Sequence, residues 1–376
     1  MPTSTPCSRW PRRASSAVRG IASGCSRRFA STRSRNWMPR TRPTRFAVAT
    51  TEYFLALGET ANLSAESDGP ERPEVVRPEQ DEFRAAIDWA LDHDPELAFR
   101  LVIALEQFWV MNDAFEGVRW LRAVLENGSR VPQVLRARAL RTHGESAWIS
   151  GDFEGGTLLM EEALTEFRQL GEEQGVAVVL HRLAVSAIVG KDLARARQLL
   201  DECLALCESS PRSKLVADAI GKLGWVEREE GNPERALELF EESTARCEEV
   251  GFTWMQANTV LDVADVADEL GRTGLARERA GEAVRLCREI GDRQGTVYAL
   301  ALLARLASAA GRAERAGRLW GAIEAEEALG PVGHWERQRE EIASSVVLPS
   351  PEFESGRSTG LSLSLDDAVE YALGDE

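Results

Sequence analysis

The stretch Gly231-Asn232-Pro233-Glu234-Arg235-Ala236-Leu237-Glu238-Leu239-Phe240 decides the fold. It predicts a tight turn followed by the opening of a helix. The side-chain oxygen of Asn232 is placed to accept a bond from a free N–H of the first turn. Pro233 then takes the first helical position, where no donor is needed. Ala236 puts a small side chain where this helix would cross its neighbour. Counted in steps of 40 from Ala236, positions Gly156, Ala196, Ala276 and Ala316 are all small. The same count from Gly231 meets Gly151, Gly271 and Gly311, with Gly190 off by one.

Residues 96–332 follow this period throughout. One column reads Leu140, Leu180, Ile220, Val260, Leu300, and the column three further on reads His143, Leu183, Leu223, Val263, Leu303. The next position is always Gly or Ala: Gly144, Ala184, Gly224, Ala264, Ala304. A large apolar column runs Met160, Leu200, Phe240, Ala280, Trp320. Gly171, Pro211, Gly251 and Gly291 punctuate the end of each second helix, and Asp152, Asp192 and Asn232 stand as turn caps, with Thr273 one residue late. A weaker earlier unit places Ala104 in the small column and Trp120 in the large one. A helix cannot hide its apolar stripe alone, so it packs on a partner, and the pair packs on the next pair. The expectation is all-α: a solenoid of about five to six helix hairpins with a helical C-terminal cap.

The flanks divide the rest. Residues 1–50 are rich in Arg and Ser and read as a disordered or misassigned segment, and removal of residues 1–46 is expected to leave the fold intact. Residues 51–95 form a helical lead-in, beginning at Tyr53, Phe54, Leu55 and Leu57 and interrupted by a Pro/Glu-rich linker over 64–80. Pro95 opens a helix with Leu97, Leu101, Ala104, Leu105 and Phe108 on one face. Residues 96–332 are the repeats and 333–376 the capping helices.

Leu223-Gly224, Gly231, Ala236 and Phe240 resemble the tetratricopeptide repeat, an apolar residue with a small one, a turn glycine, a small residue and an aromatic. The period is 40 residues here, against about 34 in that repeat. The extra residues are expected at the junction Gly171-Glu172-Glu173-Gln174-Gly175. This spacing is similar to the extended repeats of MalT-like and LuxR-type ATPase regulators of bacteria. Residues 52–57, 83–91, 108–109 and 116–121 look like the passage of such regulators into their repeats, and 317–322 and 363–369 like their closing segment. The phosphate loop of those regulators has no counterpart here, because Gly190-Lys191 is followed by Asp192 and Gly221-Lys222 by Leu223. No helix-turn-helix segment is evident either. The resemblance implies the regulatory part of a transcriptional regulator without its ATPase and DNA-binding modules. The alternative is a free-standing adaptor unrelated to transcription.

Charge narrows the partners. Only Lys191, Lys214 and Lys222 are Lys among 45 basic residues. That bias, with abundant Ala and Gly, suggests a GC-rich bacterial gene. Residues 1–51 carry 11 Arg and no acid; the formal total is −16, so the remainder carries −27. An acidic body is a poor nucleic-acid binder, since phosphate contacts need clustered Lys and Arg. No apolar run reaches the length of a membrane span. Six Cys without a disulfide spacing fit reduced thiols and a cytoplasmic setting.

No residue pattern points to catalysis, a cofactor or a metal. Cys207, Cys247 and Cys287, with Cys203 one turn before, read as small packing residues. His93, His143, His181 and His334 are scattered. Ser146 in Gly144-Glu145-Ser146-Ala147-Trp148 lacks the last glycine of a nucleophile elbow. The candidate site is instead the groove lined by each unit's first helix, with a protein, a peptide or a small effector as guest. Trp148, Val185, Ile188 and Trp225 are expected to form its apolar middle. Arg138 and Arg141 would mark a basic end, with His181 beside them, and Asp265, Asp268 and Glu269 an acidic one.

Overall fold

The structure, a computed structural model, describes residues 45–67, 72–128, 130–209, 213–330, 332 and 335–374. The disorder expected over most of 1–50, together with Pro211 and His334, lies outside the described residues. The chain separates into two units, residues 1–50 and 51–376. Of the first, residues 45–50 are described, and they are helical. The helical pattern expected from Thr51 therefore begins six residues earlier, at Arg45.

Eighteen α-helices and no strands occur among the described residues. The lead-in comprises α1 (Arg45–Thr60), α2 (Gln80–His93), α3 (Pro95–Ala104), α4 (Glu106–Asn112) and α5 (Ala114–Asn127). Five hairpins follow: α6 (Gln133–Ile149) with α7 (Phe153–Leu170), α8 (Glu173–Val189) with α9 (Leu193–Leu206), α10 (Lys214–Glu229) with α11 (Pro233–Val250), α12 (Thr253–Glu269) with α13 (Thr273–Ile290), and α14 (Arg293–Ala309) with α15 (Ala313–Ala328). The chain closes with α16 (Trp335–Val346), α17 (Pro351–Gly360) and α18 (Leu365–Leu373). The fold is a tetratricopeptide-like α-solenoid.

The columns of the sequence are the packing of the hairpins. Ala196, Ala236, Ala276 and Ala316 are fully buried, and so are Met160, Leu200, Phe240, Ala280 and Trp320. Burying a large apolar side chain stabilises by about 1.5–3 kcal/mol. Backbones come closest in the first hairpin, where a methyl on Gly144 would lie 2.7 Å from the Gly156 carbonyl oxygen. Each second helix also packs on the first helix of the next hairpin.

Turn chemistry departs from expectation in three places. Asp152 and Asp192 accept from the backbone N–H of Gly155 and Arg195, as caps do. Asn232 occupies the cap position of α11 but forms no side-chain cap bond; its amide nitrogen instead donates to Glu227 Oε2 at 2.9 Å. Thr273 is the first residue of its helix, behind Arg272. The junction near Gly171 is only a two-residue turn, Gly171-Glu172, with α8 starting at Glu173. Where the junction is this short the additional length lies within the helices, whereas the second hairpin ends at Leu206 and the next helix begins only at Lys214.

The helix predicted from Pro95 breaks at Leu105 and resumes at Glu106. The indole N–H of Trp109 donates to the Val102 carbonyl across the break, at 3.1 Å. The stretch expected as a linker holds two 3-10 turns, Pro73–Val75 and Arg77–Glu79. Leu63, just before it, and Val76, within it, are buried.

At the other end α15 and α17 cross with their backbones in contact. Methyls on Gly317 and Gly321 would stand 2.1 and 2.2 Å from the carbonyl oxygens of Phe353 and Arg357. Methyls on Gly356 and Gly360 would stand 2.0 and 2.1 Å from those of Glu314 and Arg318.

Candidate functional site

First helices touch one another along much of the array: α6 meets α8, α8 meets α10, and α12 meets α14. The second helices of these hairpins form no comparable contacts among the described residues. The spacing is therefore shorter on the first-helix side, which makes that side the inner face. First helices are also buried around most of their circumference, so the strip they leave open is narrow.

That strip is a ladder of ion pairs between successive first helices. Arg138 and Arg141 hold the two carboxylate oxygens of Glu66 at 2.5 and 2.6 Å. Arg141 also reaches Glu106 at 2.7 Å. Arg182 meets Glu145 at 2.9 Å. Asp218 lies 3.2 Å from His181 Nε2 and 3.1 Å from Lys222 Nζ. Arg228 pairs with Asp265 at 2.6 Å and also with Glu269. Arg305 adds Asp265 at 2.6 Å and Asp268 at 3.0 Å.

Burial and charge compete along this ladder. Burial opposes the charge of Arg141, yet Glu106 and Glu66 hold its pKa above the ordinary value. Burial also opposes ionisation of Asp218, but Lys222, His181 and Arg182 keep its pKa well below the carboxylate range. Burial lowers the pKa of His181 against the pull of Asp218. Asp262 has no basic group in ion-pair range among the described residues; it accepts from the indole N–H of Trp225 at 3.1 Å, and burial raises its pKa to about 7.

The expected site residues fall on this face with differing freedom. Val185 is half-buried on α8, as are Trp148, Ile188 and Trp225. Trp148 and Ile188 lean on one core cluster and Trp225 on the next, so the apolar strip crosses a seam in the core. Arg138 keeps about a third of its side chain exposed, whereas Arg141 is completely buried. Asp265 is buried between two arginines, Asp268 is half-buried, and Glu269 is exposed. The charges expected to orient a guest are thus satisfied within the chain. Opposite charges at repeat positions on neighbouring helices lie within reach of an arginine side chain, so they pair with one another.

Sequence reasoning missed Arg182, Asp262 and Arg305. A signal existed, since Thr142, Arg182, Lys222 and Asp262 form their own column one position after Arg141. Glu66 and Glu106 carried no such signal, as Glu66 comes from outside the repeats.

Residues 63–67 lie across the start of this face. The backbone N–H of Gln107 donates to the Leu63 carbonyl at 2.8 Å. Glu106 Oε2 accepts from the Ala65 N–H at 3.0 Å, and the Gln174 amide donates to the Glu66 carbonyl at 3.1 Å. One short segment therefore bonds to α4 of the lead-in and to α6 and α8, the first helices of the first two hairpins.

Cys203, Cys247 and Cys287 are buried, and burial pushes the pKa of Cys247 and Cys287 up to about 12. Among the described residues no group of three or more His, Cys, Asp or Glu is arranged to hold a metal ion. No helix among them is long and apolar enough to cross a membrane.

Residues 175–249 match the tetratricopeptide repeat family. No curated protein matches the chain. Among solved structures, the crystal structure of a Rap protein complexed with competence and sporulation factor is similar, with a TM-score of 0.54 at 13% identity, covering 81% of this chain and 99% of that one. The crystal structure of BtubC (BKLC) from P. vanneervenii is more distant, with a TM-score of 0.43 at 15% identity over 66% of this chain and 93% of that one.

Proposed function

We propose that this chain is a non-catalytic scaffold whose first-helix face receives an extended segment of a protein or a peptide. The carrying observation is the segment 63–67, because a piece of the chain itself already lies on this face, bonded through its backbone to α4 and α8 and through the Glu66 carboxylate to α6. A curved helical-repeat face suits an elongated guest. Beyond that segment the half-exposed Val185, Ile188 and Trp225 offer apolar surface for guest side chains. The similarity to a Rap protein solved with a bound factor is in keeping with this reading.

Panning a random dodecapeptide display library on the full chain tests it. Peptides retained by the native chain are expected to be lost on Val185→Arg and Ile188→Arg and kept on Leu158→Arg, which alters an exposed position of the second helix α7. Melting curves show that each variant is folded. Retention by the folded groove variants would remove the face as the binding site.

The finer proposal is that the scaffold is the sensor part of a LuxR/ATPase-type transcriptional regulator. Its support is the resemblance of 52–57, 83–91, 116–121 and 317–322 to segments of such proteins. Reading the DNA upstream of Met1 in all three frames tests it, and a neighbourhood without ATPase or winged-helix coding would favour the free-standing adaptor.

A further inference from the structure

We infer that Arg138, Arg141 and Gln174 form a reading site for an acidic residue of the guest, and that Glu66 fills this site until a guest displaces it. The inference rests on the face being the binding surface.

The geometry is that of a bound acidic peptide. A carboxylate sits between two arginines, one oxygen to each, while its own carbonyl accepts from a side-chain amide. Charge-assisted bonds of this kind are roughly twice as strong as neutral ones. The arrangement fits a glutamate presented in a tight turn, as here, where the Ser67 N–H donates to the Ser64 carbonyl at 2.9 Å, and rejects a neutral or basic residue, which would leave Arg138 short of a partner.

The occupant is held in a way that permits exchange. Leu63 and Val76, on either side, are anchored by burial. Between them Ser64, Ala65, Glu66 and Ser67 are half-buried, and the bonds that hold them to the face are polar. The Glu66 side chain itself is 9% exposed, so a guest carboxylate has to replace its bonds as they break. A guest glutamate replaces the Glu66 carboxylate like for like, so the net cost is the release of one short segment. Arg141 stays paired with Glu106 throughout, which keeps the site formed while the occupant changes. Arg138, a third exposed, is the arginine a guest meets first.

The test uses the full chain and two labelled peptides, Ala-Asn-Leu-Ser-Ala-Glu-Ser, copied from residues 61–67, and its counterpart with Gln for Glu. Binding is read by fluorescence anisotropy at about 0.15 M salt, where exposed charges are screened. Glu66→Gln is expected to bind the Glu peptide at least about tenfold tighter than the native chain, a difference of about 1.4 kcal/mol. The Gln peptide should bind neither, and adding Arg138→Gln to the variant should remove the gain. In the native chain, saturating Glu peptide should also speed hydrogen exchange at the Ala65 amide as its bond to Glu106 opens. Equal affinity of native chain and variant, or of the two peptides, would overturn the inference, as would unchanged exchange at Ala65. If the acidic peptide is ignored while library-selected peptides still depend on Val185 and Ile188, the face survives as a binding surface and only the acid-reading site falls.

Discussion

Lys191 has φ of 62° where the other hairpin turns place glycine, at Gly151, Gly231, Gly271 and Gly311. The left-handed region crowds a β-carbon against the following carbonyl. Lys191→Gly is therefore expected to stabilise by about 1 kcal/mol in urea melts. The ion pair it gives up, Lys191 with Glu229, is half-exposed and worth little. The sequence placed a glycine one residue early, at Gly190, because counting by period marks the turn without telling which residue bears the positive φ. Asp262 carries the second expectation at this scale. An unfolded aspartate ionises near pH 4, while folded Asp262 keeps its proton until about pH 7. The folded state then binds the extra proton between these values, so this residue makes stability fall as pH rises through that window. Asp262→Asn should raise the melting temperature at pH 8, and the gain should shrink towards pH 4. A gain that is the same at both pH values would show that the residue is not held protonated.

At the scale of elements, the repeats were legible because each column answers one packing demand. Small residues recur where helices cross, and large ones recur between hairpins, so composition alone reports the register. Charges were not legible in the same way. Asp265 and Asp268 looked like a free acidic end, but their partners Arg228 and Arg305 sit on neighbouring first helices and appear only when those helices are side by side. The C-terminal crossing was in the sequence, as Gly317 with Gly321 and Gly356 with Gly360, and passed unread because neither pair follows the 40-residue period. Here a methyl added at any of the four glycines meets backbone, which cannot swing aside as a side chain can. Gly356→Ala should thus destabilise by about 1–3 kcal/mol, the usual range for overpacking. Circular dichroism melts check it, and an unchanged curve would mean that α15 and α17 separate freely.

For the whole molecule, the array is assembled chiefly from contacts between neighbours in the chain, and the contacts of residues 63–67 and of the C-terminal helix α18 are exceptions among the described residues. The bond between Gln174 and the Glu66 carbonyl joins residues 108 apart in sequence, whereas each hairpin closes over a few tens of residues. Loop closure over so long a span has an entropic cost that must be met before the contact returns any stability. The landing site for residues 63–67 also consists of three helices that must already stand side by side. Order of assembly follows: hairpins first, the crossing segment last. Its contacts are then absent from the rate-limiting barrier, so Glu66→Gln should speed unfolding in denaturant and leave the refolding rate nearly unchanged. Stopped-flow traces would reveal a slowed refolding limb if the segment instead guided the helices into place. A chain that finishes itself in this way spends its final moments as a complete solenoid with its inner face still bare, and whatever is present at that moment competes with the chain's own residues for the first occupancy.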